Sequence, residues 1–75
     1  HLMIEHRRVE PETDEFNQLE HKVREQQDGV GVRLLSAIKD YDQDFIRLRV
    51  SLDGVVIRAV LDLDDGVITF CEQKS

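Results

Sequence analysis

The chain has 75 residues, 40% of them hydrophobic, with a formal net charge of −6 at pH 7. That length allows one domain with a thin core, and the lone Cys71 excludes an internal disulfide or a cysteine-based zinc site. With no apolar run long enough to span a bilayer and no basic-then-apolar leader, the chain reads as cytosolic and not membrane-bound, held together by packing or self-association.

His1 and Leu2 precede the first methionine and read as an expression scar. Leu2 to Val9 alternates weakly and is expected as an additional N-terminal edge strand, its Arg7 and Arg8 discouraging further pairing. Pro11 suits the first turn of a helix, and Glu12, Asp14 and Glu15 favour a helix N-terminus. The segment 11–28 runs without a breaker to Gly29, the expected C-cap. Phe16, Leu19 and Val23 make one narrow inward stripe on this acidic surface helix. The charge is local: residues 1 to 44 carry eleven acidic and six basic side chains, against five and four afterwards. Such acidity keeps a small protein soluble and opposes whole-molecule attraction to nucleic acid, while leaving local basic patches free to act.

After Gly29 the period changes. Val30, Val32, Leu34 and Ile38 suit a strand, whereas Leu34, Ile38, Tyr41 and Phe45 also fit a helical face. A strand over 30–39 is the expectation, because Gly31 weakens a helix start and the sheet that follows needs a partner for its open edge.

Asp53-Gly54 and Asp65-Gly66 are hairpin signals flanked by alternating apolar residues. A two-residue turn at Asp53-Gly54 pairs Leu52 with Val55, Val50 with Ile57, Leu48 with Ala59 and Ile46 with Leu61, all eight apolar. The same rule at Asp65-Gly66 pairs Leu63 with Ile68 and Leu61 with Phe70. Taking Asp40–Asp44 as a five-residue loop places Ile38 opposite Ile46, Leu34 opposite Val50 and Val32 opposite Leu52. Ser36 opposite Leu48 is then out of character, but a four-residue loop would put Arg33 in the core. The predicted fold class is therefore α+β: one acidic helix packed on a four-stranded antiparallel meander, plus the N-terminal edge strand.

The other sheet face carries Phe45, Arg47, Arg49 and Ser51 against Val56, Arg58, Val60 and Asp62, with Arg33, Leu35, Ala37 and Lys39 from the preceding strand. Arg49 directly opposite Arg58 costs up to ~1 kcal/mol unless neutralised. Asp62, the N-terminal acids or an acidic partner are candidates for that role. Long arginine stems over Leu35, Val56 and Val60 also describe an ordinary solvated face, yet the apolar content, with Cys71 on the same side, suits an association site.

Catalytic and metal chemistry find little purchase. Asp40, Asp42 and Asp44 resemble the opening of an EF-hand loop, but Phe45 stands where its glycine is needed and Ser51 where its bidentate glutamate is needed. Asp62, Asp64 and Asp65 form a turn with acid beside it. His6 and His21 have no metal-ligand spacing, and Cys71 has no histidine in the meander to activate it. No catalytic residue, metal ligand or cofactor is assigned. The reading is a non-enzymatic interaction or regulatory protein that self-associates, or binds a protein partner, through Arg33, Phe45, Arg47, Arg49, Val56, Arg58 and Val60. The alternative is nucleic-acid or polyanion binding by the same arginines, with Phe45 the only stacking platform. A third possibility makes the helix acids Glu12, Asp14, Glu15, Glu20 and Glu25 a decoy for a basic site.

Overall fold

In the computed structural model, which describes residues 6–28 and 31–71, the chain runs β1 (His6–Arg8), α1 (Asp14–Gln26), β2 (Val32–Asp40), β3 (Phe45–Leu52), β4 (Val55–Asp62) and β5 (Ile68–Cys71). The fold is α+β. All five strands form one sheet in the order β1-β2-β3-β4-β5, every neighbouring pair antiparallel. The expected edge strand is present at His6–Arg8, and residues 2–5 of that expectation lie outside the described residues.

The helix starts later than Pro11. Thr13 is the N-cap: its hydroxyl accepts from the Phe16 N–H at 3.2 Å and donates to the Glu10 carbonyl at 2.7 Å. Glu12 is the reason, because its φ of +67° is left-handed backbone that a right-handed helix cannot contain. Asp14 and Glu15 then complement the dipole of the first turn. At the other end Gln27 is the C-cap, its N–H donating to the Val23 carbonyl at 2.9 Å. Gly29 and Val30, expected as cap and strand start, lie outside the described residues. Phe16, Leu19 and Val23 are buried as expected, joining Val9, Val32, Leu34, Ala37, Ile46, Leu48, Val50, Ala59, Leu61 and Ile68 in one core.

The β3–β4 hairpin has all four expected pairs. Asp53 at φ +52° and Gly54 at φ +85° give the two left-handed residues that a two-residue hairpin turn requires. The β2–β3 ladder matches expectation at Val32↔Leu52 and Leu34↔Val50, then breaks. Leu35 has no partner, and pairing resumes as Ser36↔Arg49, Ala37↔Leu48, Ile38↔Arg47 and Lys39↔Ile46.

This β-bulge corrects several sequence expectations together. Ser36 leaves the core face and Ala37, fully buried, takes its place. Ile38, expected in the core, turns to the opposite face, while Ala37 and Lys39, expected on the arginine face, turn to the helix side. The physical reason is that a hydroxyl opposite Leu48 would be buried among apolar groups, a penalty that one inserted residue avoids. The bulge also reconciles the loop with the pattern: β2 continues through Asp40, so the loop is shorter than Asp40–Asp44, yet Arg33 stays out of the core. Lys39, at the sheet end, donates to the carbonyls of Asp40 and Gln43.

At β4–β5 the observed pairs are Leu61↔Ile68 and Ala59↔Phe70, two residues away from the register expected. The turn is longer than Asp65-Gly66. Asp62 N–H donates to the Val67 carbonyl at 3.0 Å, and Gly66 N–H donates to the Asp62 carbonyl at 2.9 Å. Side-chain carboxylates accept from the Asp64 N–H (Asp62, 2.8 Å) and the Val67 N–H (Asp65, 2.9 Å), which stabilises the wider loop. Because the slip is even, Ile68 and Phe70 stay on the core side; Leu63 instead sits exposed in the loop.

Side chains of α1 also satisfy the sheet's outer backbone groups. Where β1 stops, Glu20 accepts from the Leu34 N–H at 3.1 Å and Arg24 donates to the Val32 carbonyl at 3.0 Å. Across the sheet, the Gln26 carboxamide donates to the Gly66 carbonyl at 2.7 Å and accepts from the Ile68 N–H at 2.6 Å. The amide thus mimics one peptide of a further strand.

Candidate functional site

Cross-strand register arranges the face away from α1 into transverse rows. One row is Ser36–Arg49–Arg58–Cys71; the next is Arg8–Ile38–Arg47–Val60–Thr69. Beyond these lie Arg33–Ser51–Val56 on one side and the Phe45–Asp62 pair on the other. The two middle rows form the floor of an open trough of about 710 Å³, lined by Ser36, Ile38, Arg47, Arg49, Val56, Arg58, Val60 and Cys71. Among the described residues no element covers it.

Five of the seven expected interaction residues therefore share one depression: Arg47, Arg49, Val56, Arg58 and Val60. Phe45 is half-buried at the sheet end beside Asp62. Arg33 lines a second depression, of about 480 Å³, with Glu12, Glu20 and the exposed Leu35. Ser36, Ile38 and Asp40 join the bare face because of the bulge. The signal for them in the sequence was Ser36, the one polar residue in an otherwise apolar predicted core row.

Charges on this face are unevenly compensated. Arg47 forms a two-pronged pair with Asp40, Nε to Oδ2 at 2.9 Å and Nη2 to Oδ1 at 3.0 Å. Asp40 is thus a strand residue that holds an arginine. Asp62, one expected neutraliser, lies four residues along β4 from Arg58, about 13 Å away at a rise of ~3.3 Å per residue. Its carboxylate is engaged in its own turn. The N-terminal acids serve the other side, where Glu15 pairs with Arg7 at 3.2 Å; that hydrogen bond, with the carboxylate's charge, holds the Arg7 guanidinium above its ordinary value. Arg24 has Glu20 at 3.8 Å. Arg49 and Arg58 stand directly opposite each other, and among the described residues neither has an acidic partner.

Cys71 lies across from Arg58 and is exposed, the face expected for it. Among the described residues no three His, Cys, Asp or Glu side chains gather closely enough to hold a metal ion, and no helix is long and apolar enough to cross a membrane. Comparison with protein-family models, curated proteins and solved structures found no match.

Proposed function

We propose that this protein is a small non-enzymatic interaction module whose bare sheet face is covered by a protein partner, a second copy of the chain in the first instance. One observation carries the reading: the helix covers one side of a five-stranded sheet, while the other side holds a trough in which Ile38, Val56 and Val60 lie between arginines. On so small a chain, apolar side chains interleaved with arginine stems on a bare sheet face are of the type that association buries.

A two-fold axis across the strands would set Asp40 of each copy over Arg33 of the other and the Arg58 stem over Val60, and would also set Arg49 over Arg47. Arginine stems covering a partner's valines combine apolar contact with charged groups at the rim. A lone thiol and the absence of a disulfide suit a cytosolic setting.

Light scattering across a concentration series tests this, with Val60→Asp as the disrupting variant. A concentration-dependent dimer that Val60→Asp converts to monomer without loss of far-ultraviolet dichroism is the expected result. A monomer throughout the series overturns the self-association reading.

A further inference from the structure

We infer that the Ser36–Arg49–Arg58 segment of the central row is a binding site for a tetrahedral, phosphate-type oxyanion. The site lies within one chain and does not depend on self-association.

Three observations converge on it. First, Arg49 and Arg58 occupy directly paired positions on adjacent antiparallel strands, which sets their Cβ atoms ~5 Å apart and lets both guanidinium groups reach one small ligand. Second, among the described residues Arg7, Arg24 and Arg47 are matched to Glu15, Glu20 and Asp40, whereas Arg8, Arg33, Arg49 and Arg58 have no acidic partner. Of these four, Arg49 and Arg58 alone stand opposite each other, Arg8 facing Ile38 and Arg33 facing Ser51, so the charge those two concentrate at one place is left for a ligand, in a chain whose net charge is −6. Third, the bulge at Leu35 brings Ser36 into line with Arg49, adding a hydroxyl donor at the end of the row.

The donor set selects the ligand class. One guanidinium fork satisfies both oxygens of a carboxylate, so a carboxylate leaves the second arginine unanswered. Two forks and a hydroxyl match the several oxygens and the double negative charge of a phosphomonoester or inorganic phosphate. A nucleic-acid phosphodiester offers a single charge and two free oxygens per unit, a poorer match at each site.

The test is an NMR titration of the arginine Nε–H resonances at constant ionic strength with four probes: inorganic phosphate, phenyl phosphate, acetate and a single-stranded oligonucleotide. The diffusion coefficient of the same samples reports mass separately, so failure of the dimer reading leaves this result interpretable. Saturable, concerted shifts of Arg49 and Arg58 with phosphate or phenyl phosphate are expected, with weaker response to acetate. Arg58→Gln and Arg49→Gln, both on exposed positions, should each weaken binding about tenfold or more, the effect of losing a hydrogen bond to a charged group. Shifts with phosphate alone identify a free anion as the ligand source, and tighter binding of phenyl phosphate identifies an esterified one. Uniform, unsaturable shifts of all arginines, or preference for the oligonucleotide or acetate, would overturn the assignment.

Discussion

Deleting Leu35 distinguishes a bulged β2 from a regular one. With the bulge, Leu35 is the unpaired residue, and removing it joins Leu34 to Ser36 so that Leu34, Ser36 and Ala37 alternate core, bare face, core. Every buried side chain of β2 keeps its place. Leu35 is 41% exposed, so its own lost burial is partial, about 1 kcal/mol of the ~1.5–3 kcal/mol for a fully buried leucine. Removal of the irregular backbone offsets part of that. In a regular ladder the same deletion would rotate Val32 and Leu34, each 5% exposed, onto the opposite face. That would cost about 3–6 kcal/mol, a large share of the roughly 4–11 kcal/mol expected for a chain of this size. Urea unfolding followed by circular dichroism reads the difference. At about 1 kcal/mol per molar urea, the midpoint should fall by ~1 M or less. A loss of about 3 M, or of the cooperative transition, would refute the bulged register.

Three further substitutions test local features. Gln26→Ala removes both hydrogen bonds to the β5 edge and should lower stability by about 1–2 kcal/mol in urea, with protection of the Ile68 amide in hydrogen exchange falling in step. Glu12→Asn should raise stability by about 0.5–1 kcal/mol, visible as a higher thermal midpoint, because asparagine tolerates the left-handed backbone that glutamate resists. Thr13→Ala removes the hydroxyl that accepts from Phe16 and should cost about 1 kcal/mol, together with helical signal at 222 nm.

Much of this architecture is legible in the sequence. The Asp53-Gly54 turn sets β3 against β4 because a turn that short admits one register and all eight residues it pairs on the helix side are apolar. The helix stripe and the α+β class follow from equally strong periodicities. The β4–β5 turn departs from the two-residue expectation because Asp62 and Asp65 stabilise a wider loop through their side chains, and an even slip leaves the apolar face unchanged, so patterning alone cannot detect it. The bulge is marked only indirectly, by Ser36 in the predicted core row: Leu35 is apolar on an exposed position, and a single inserted residue leaves no turn chemistry to mark it. The consequence reached the candidate site directly. Arg47, Arg49, Val56, Arg58 and Val60 are on β3 and β4, where the register was right, and they share a trough; Asp40, placed in a loop by pattern, is the residue that holds Arg47.

The hydrogen bonds from Glu20, Arg24 and Gln26 to the sheet's backbone bear on how the protein resists strand addition. Open strand edges are templates on which another chain can add, and chains rich in short apolar strands are prone to fibrillar growth. Here a single helix occupies donor and acceptor positions on both flanks, at Val32 and Leu34 on one and at Gly66 and Ile68 on the other. Polymerisation by strand addition is thereby opposed at those places by side chains alone, without further β-structure. Loss of α1 would cost the protein its guard as well as part of its core.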